Sequence, residues 1–320
     1  MKYSVIIPCF NEGHVLTASL DALTNAVGSR DDIEILLLDN GSSDDSMAIA
    51  SRYPLTLIKL VEVRISALRN HGAKLSCGEY LVFMDADIKL PKNWFQLLDD
   101  YTEQDKVAAV GFVDTVPEHA PWFARIWSLK DLARRNKLQQ VDALPGRNLM
   151  VSRIWFERIN GFNSELITGE DKDFVMRIAR SGGTVMSDPG ADVVHLGFER
   201  DFLEWCRKEY WRQHSHIRLI QHQGATLRLL RFPLLAVSHW LMAAMVCSSA
   251  LTLGSAMTLA LVFLWFVPSL GMSVAHSASR WPPLRLLQFS LLYWLRFHVA
   301  GFSVLREAWE LQQKRKTQWS

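Results

Sequence analysis

Cysteine is scarce in this chain, and none of it is paired in sequence. Cys9, Cys77, Cys206 and Cys247 form no C-x-x-C element, so their spacing suggests neither a zinc site nor a disulfide framework. They are expected to be reduced packing residues of a cytosolic chain. An excess of charge of one sign is also lacking. The 35 Lys and Arg against 33 Asp and Glu leave a net +2, which argues against a nucleic-acid or other polyanionic partner. No G-x-G-x-x-G follows the first apolar run, so a dinucleotide-dependent dehydrogenase is disfavoured. The opening MKYSVIIP has one lysine and a β-branched run too short for a signal-peptide core. It predicts an N-terminal part that stays in the cytosol.

The longest absence runs from Phe232 to Ser279, where no Asp, Glu, Lys or Arg occurs. One membrane span needs about 20 residues at a rise of 1.5 Å each. The stretch therefore predicts two short spans with a turn near Leu251–Ser255. Arg218, Arg228 and Arg231 precede it, and Arg280 and Arg285 follow, so both ends are expected on the cytosolic side. The alternative is a buried helical core, but soluble domains seldom go so long without a charge. Leu284–Leu305 reads as an interfacial helix with Arg285, Gln288, Arg296 and Ser303 near one stripe. A third span with Arg296 buried against a partner is its alternative. The closing QQKRKTQ is basic and suits the cytosolic leaflet.

Ahead of Gly197 the pattern is different. YSVIIPCF, IEILLLDN, LTLIKLVEV and EYLVFMDAD read as strands, separated by helical stretches such as EGHVLTASLDALTNAV and ISALRNHGAKLSCG. Strands apolar on both faces, alternating with helices, predict an α/β domain with a parallel sheet covered by helices. Ligands on such sheets bind at the carboxyl ends of the strands, where Asn11, Asp39, Asp85 and Asp87 fall. The chain divides into an α/β domain over 1–198, a basic amphipathic region over 199–231, a helical hairpin over 232–279, and an interfacial helix with tail over 280–320.

Asp85 and Asp87 raise the chemical question. Residues two apart on a strand share a face, so both carboxylates are expected to converge, and like charges so close call for a cation. Oxygen ligands suit Mg²⁺ or Mn²⁺ bound together with substrate phosphates. A solvated turn is the plain alternative for a bare D-x-D.

Four stretches in order, SVIIPCFNE, LLLDNGSSDDS, ALRNHGAKLSCGEYLVFMDAD and NGFNSELITGEDKDFVMRIARSGG, resemble the GT-A glycosyltransferases of family 2, over roughly Lys2 to Gly197. These are inverting enzymes with nucleotide-sugar donors. The resemblance implies that Pro8 and Phe10 cradle the base and Glu12 contacts the ribose. Asp39 would hydrogen-bond the base, usually uracil, with Asn40 in place of a frequent second aspartate. Arg69 and Asn70 match the donor-binding signature. Asp85 would reach the ribose or a metal-bound water, and Asp87 would ligate Mn²⁺ or Mg²⁺. His195 would be a further ligand, with a purely structural histidine as the alternative. In GEDKDF, Asp171 would be the catalytic base and Glu170 an acceptor contact. Asp173 is the rival base, and an acidic helix start is the plain reading of the whole motif. Arg207, Lys208 and Arg212 would offset charge on the leaving diphosphate.

An ionised lipid phosphate needs little base help, whereas a sugar hydroxyl does. An intact GED motif therefore predicts transfer to a hydroxyl of a lipid-linked or other glycan acceptor. The place is the cytosolic face of the inner membrane, and the acceptor loop would be Trp122–Val151. An amphipathic helix leading into a strand is the alternative for that segment. A polyprenyl-phosphate glycosyltransferase of the dolichyl-phosphate mannose synthase type is the rival activity. A non-catalytic, membrane-tethered nucleotide-sugar binder is the rival class. One hairpin offers too few helices for the channel of a processive synthase.

Overall fold

The computed structural model describes residues 1–104, 106–134, 136–252, 254–277 and 281–318, without the side chains of 131–134 and 314–318. The predicted flank at Arg280 and the basic side chains of the tail lie outside the described residues.

In chain order the elements are β1 (Tyr3–Cys9), α1 (Gly13–Val27), β2 (Ile33–Asp39), α2 (Ser46–Ala50), β3 (Thr56–Lys59), α3 (Ile65–Leu75), β4 (Tyr80–Met84) and β5 (Ile88–Lys89). Then come α4 (Trp94–Thr102), β6 (Val107–Thr115), α5 (Trp122–Arg134), β7 (Gln139–Gln140), β8 (Asn148–Ser152), α6 (Arg153–Arg158), α7 (Glu170–Arg180) and β9 (Thr184–His195). The rest is helical: α8 (Phe202–Trp211), α9 (His216–Gln223), α10 (Leu227–Thr252), α11 (Ser255–His276) and α12 (Pro283–Gln318).

Two compact units result. The first comprises Met1–Glu118, Arg135–Glu165 and Glu170–Phe198, and the second His119–Arg134, Leu166–Gly169 and Glu199–Ser320. The first unit holds a nine-stranded sheet in the order β3-β2-β1-β4-β8-β6-β9-β5, with β7 on β9. β1 is buried along its whole length, because it pairs in parallel with β2 and β4 and both sheet faces are covered by apolar side chains. One face packs Tyr3, Leu16, Leu20, Trp94 and Phe95. The other packs Phe83, Phe156, Phe162 and Phe174, with Phe162 stacked on Phe174 at 4.2 Å.

The sheet is mixed, not all-parallel as the alternation suggests. β8 runs antiparallel to both β4 and β6. The helix between β6 and β8 is α5, which belongs to the second unit. Without a crossover helix laid on the sheet, nothing imposes the parallel return that a β-α-β unit requires.

In the second unit, α10 and α11 meet at the break around Gly254, whose φ is +80°. Both are long and apolar enough to cross a membrane, with mean hydropathies of 1.7 and 1.9. Only 17% and 11% of those windows are buried. Leu241, Met245, Phe263 and Leu264 face outward, the reverse of a soluble core helix. α12 does not stop near Leu305 but continues to Gln318. No Pro or Gly interrupts the final stretch, its residues favour helix, and Arg306 pairs with Glu310 one turn on at 2.8 Å. The expected polar stripe is partly turned inward: Ser303 is buried and Arg296 pairs with Glu209 at 2.8 Å. Of the four free cysteines only Cys9 is buried, and Cys77 and Cys247 are exposed, so these two are not packing residues.

Candidate active site

Register brings the first loops together. Cys9 lies opposite Asp39 at the ends of β1 and β2. The buried Asp39 carboxylate accepts the N–H groups of Gly41 at 3.1 Å and Ser42 at 3.0 Å. Gly41 has φ +87°, a conformation glycine adopts without steric cost. The loop after β1 is tied to the loop after β2 by side-chain hydrogen bonds. Ser42 Oγ accepts from Asn11 N–H, Ser46 Oγ from Glu12 N–H, Asp44 from Gly13 N–H, and Asn11 Oδ1 from Ser43 N–H. Pro8 is buried in β1 and Glu12 is half-buried. Phe10, the residue after β1, is 55% exposed. Asn40 is committed elsewhere, bonded through its amide to both backbone groups of Val63.

β4 ends at Met84, so Asp85 and Asp87 lie in the turn beyond it. The two carboxylates leave the turn rather than the strand itself, close enough that the charge of Asp87 acts on Asp85, and each has its own partner. Asp85 accepts from Arg69 at 2.8 Å, and Asp87 Oδ2 meets His195 Nε2 at 3.2 Å. A Cβ on Gly197 would lie 1.8 Å from Asp87 Oδ2, so any other residue there would force the Asp87 carboxylate to move. Asp87 Oδ1 is buried without a hydrogen-bond partner.

Arg69 is the junction of the site. It is buried on α3, its second nitrogen donates to Glu170 Oε1 at 2.7 Å, and its guanidinium lies 5.4 Å from the Phe162 ring centre. Gly146 N–H donates to Asp171 Oδ2 at 3.2 Å, and a Cβ on Gly146 would press on the Arg69 guanidinium at 3.0 Å. Glu170, Asp171 and Asp173 form the first turn of α7, where the helix dipole favours negative charge. Asp173 is buried and bonded to Arg177 at 2.8 Å. Arg177 also donates to the carbonyls of Ile159 and Gly161, so Asp173 belongs to the helix's structural support. Asn70 serves a similar end: its amide donates to Phe162 O and accepts from Phe162 N–H, both at 2.8 Å. It fixes the turn at Gly161, whose φ is +61°.

Charge divides the acids. Burial and the neighbouring Asp171 lift the Glu170 carboxyl to about 7, against the pull of Arg69. Burial also lifts Asp85 above the ordinary carboxylate range, although Arg69 opposes it. Asp87 suffers the same burial, yet His195 and Arg147 hold it below that range.

Arg212 falls in the second unit. It bonds Glu199 at 2.6 Å and also Glu209. Glu209 is buried, accepts Trp127 Nε1–H at 3.0 Å and pairs with Arg296. Trp127 lies on α5, so the first half of the expected acceptor loop is a helix packed within the second unit, against Trp205, Phe289 and Tyr293. Lys208 pairs with Glu204.

Arg147 was expected only as part of the acceptor loop, and Gly197 was assigned no role. Arg147 holds Asp114 through two contacts, at 3.0 and 2.8 Å. The only signal for it was a lone basic residue just before an apolar run. Among the described residues, no three His, Cys, Asp or Glu side chains are grouped to hold a metal ion. Asp87 and His195 still fit one. A cation bound partly through substrate phosphates needs only one or two protein ligands, and Asp87 Oδ1 has no other partner.

Comparison with known proteins turns up glycosyltransferases. Glycosyltransferase AglE of Haloferax volcanii is 26% identical over 216 residues, 65% of this chain and 70% of that protein. A poly(ribitol-phosphate) beta-glucosyltransferase of Bacillus spizizenii is 32% identical over 94 residues, which are only 15% of its length. Among solved structures, a mannosyltransferase from Pyrobaculum calidifontis in complex with GDP-Man and Mn²⁺ superposes with a TM-score of 0.68 at 20% identity. The match covers 94% of this chain and 87% of that one. Residues 136–197 match a family described as N-terminal domain of galactosyltransferase. Residues 4–159 match Glycosyl transferase family 2, and with the GT-A-like sheet and the carboxylate turn in place, this part of the chain is a domain of the family 2 glycosyltransferase type.

Proposed function

We propose that the chain is an inverting, metal-dependent transferase. It moves a sugar from a UDP-type nucleotide donor to a hydroxyl of a membrane-associated, lipid-linked saccharide in the synthesis of a cell-surface polysaccharide or glycolipid. The observation that carries this reading is the pair of hydrogen bonds that Arg69 donates, one to Asp85 and one to Glu170. One buried guanidinium joins the donor-side carboxylate turn to the start of the helix that bears the base.

In this reading Pro8, Phe10, Glu12 and Asp39 form the nucleoside cradle, with the exposed Phe10 ring available to stack on the base. Arg69 and Asn70 shape the donor site from behind, through Asp85 and the Phe162 turn. Asp87 and His195 would hold Mn²⁺ or Mg²⁺, and the Mn²⁺ of the Pyrobaculum complex supports that choice. When bound, such an ion offsets charge growing on the leaving diphosphate. Asp171 accepts the acceptor hydroxyl proton while that oxygen bonds the anomeric carbon and the bond to the diphosphate oxygen breaks. Its bond from Gly146 N–H orients it, and Glu170 positions the acceptor. Arg212 is kept as a diphosphate contact only in so far as it can leave its two glutamates. The outward-facing apolar side chains of α10 and α11 support membrane attachment, with the catalytic unit on the cytosolic side of the inner membrane.

The test is calorimetric titration of detergent-purified chain with UDP, GDP and dTDP, with and without Mn²⁺, followed by turnover on lipid-linked acceptors. Metal-dependent binding of one nucleotide is expected, lost in Asp87→Asn. Asp171→Asn should keep that binding and lose about 10²–10⁴-fold in rate. A well-folded chain that binds no nucleotide refutes the donor site and leaves the non-catalytic reading.

One observation favours a second acceptor, a polyprenyl phosphate. Leu259, Val262, Phe263, Trp265, Leu291 and Trp294 line an apolar groove of about 450 Å³, a size suited to a hydrocarbon chain. A lipid-phosphate monosaccharide as product would establish it.

A further inference from the structure

Ser215 stands at the N-cap of α9 but does not cap it. Its hydroxyl instead accepts the N–H groups of Ile167 at 2.9 Å and Thr168 at 3.3 Å. Its own N–H donates to Thr168 Oγ1 at 3.3 Å. The segment it holds, Leu166–Gly169, runs straight into Glu170 and Asp171 at the start of α7.

A helix start leaves its first N–H groups unsatisfied, and an N-cap serine normally accepts from the second or third of them. In α9 those groups belong to Ile217 and Arg218, and a residue of another helix takes them. Glu307 of α12 accepts Ile217 N–H at 2.7 Å and Arg218 N–H at 3.2 Å. It is fully buried, with Arg218 Nε at 3.9 Å. Its negative charge at the helix N-terminus is favourable by the helix dipole. Glu307 thus does the work of the Ser215 side chain and leaves that hydroxyl for the 167–168 backbone.

We propose that Glu307 and Ser215 are positioning residues for the catalytic base: by capping α9 in place of Ser215, α12 allows Ser215 to fix the strand of backbone that delivers Asp171. This rests on the assignment of Asp171 as base. If Glu307 is removed, Ser215 can rotate to cap α9, and Ile167 and Thr168 lose their acceptor. The base then shifts without any change in the residues that bind the nucleotide. Misplacement by about 1 Å costs on the order of 10²-fold in rate.

The test uses the full chain in detergent with Glu307→Ala, Ser215→Ala and the double variant. Two readouts are needed: the split of kcat from donor KM, and amide hydrogen exchange at Ile167 and Thr168. Each single variant should lower kcat about tenfold or more, with donor KM within about twofold. Exchange at the two amides should speed up in each. The double variant should be no worse than the larger single one, because both break the same relay. Ser215→Thr, which keeps a hydroxyl, and Glu307→Gln, which keeps an acceptor oxygen, should retain most of the rate and remain informative if the alanine variants fold poorly. Unchanged exchange at 167–168 in Glu307→Ala, or additive losses of kcat, would overturn the proposal. A wild-type chain that turns over no nucleotide sugar would sink the transferase reading alone, since the exchange readout still decides the relay.

Discussion

Arg69 and Arg212 make an instructive pair. Each is held between two acids, Arg69 by Asp85 and Glu170, Arg212 by Glu199 and Glu209. Their surroundings differ in balance. Around Arg69, further carboxylates crowd in: Asp87 has a buried oxygen without a partner, and Asp171 adds to the charge that raises Glu170. Around Arg212, a second guanidinium, Arg296, pairs with Glu209 at 2.8 Å and the Trp127 N–H donates to it, so two guanidiniums face two glutamates. Around Arg69, one guanidinium faces Asp85 and Glu170 with Asp87 and Asp171 close by. An arginine between acids is thus no sign of a site. What marks one is an excess of carboxylate over cation.

That contrast can be broken most sharply at Gly197. Gly197→Ala puts a methyl group where Asp87 Oδ2 sits, so metal-dependent nucleotide binding should fall below detection in calorimetry, with nucleotide-free thermal stability read alongside. Retained binding would mean that Asp87 is not the ligand. Next in size is removal of each arginine. Arg69→Met leaves Asp85 and Glu170 without their shared cation and should cost about 3–5 kcal/mol in chemical denaturation. Arg212 is 35% exposed and Glu209 keeps other partners, so Arg212→Met should cost only about 1 kcal/mol. Equal losses would erase the distinction drawn here. The smallest effect concerns pH. Glu170 titrates higher folded, near 7, than a free carboxyl does. The folded state therefore holds the extra proton between the two values. Stability from this group is present below the unfolded value and is lost as pH rises through about 7. Glu170→Gln should flatten the melting temperature across that window; an unchanged slope would assign the dependence elsewhere.

The elements before Asp87 were legible because their signals are local. β1, α1, β2 and α3 follow from apolar period and from the turn residues that separate them. The D-A-D and G-E-D motifs are contiguous and could be quoted directly. What joins them could not be: Arg69 meets Glu170 across a separation of 101 residues, and Asp87 meets His195 across 108. Asn70 was singled out with Arg69 by a donor-binding signature, and the bonds of its amide to Phe162 come from 92 residues away. Arg212 was singled out by the place its segment takes in the family resemblance, and the acids that hold it, Glu199 and Glu209 of the preceding turn of α8, could not be read from that. The antiparallel β8 was hidden because α5 has the pattern of a crossover helix and packs in another unit.

The unbroken course of α12 has one last consequence, which concerns phase. Arg296, which meets Glu209, and Glu307, which caps α9, stand about three helical turns apart on that one rod, so both face the same way about 16 Å from each other. One residue inserted between them would turn Glu307 by about 100° and carry it off α9, while every side chain stayed in place in the sequence. The helix is in this sense a ruler, and the distance it keeps is set by backbone pitch alone.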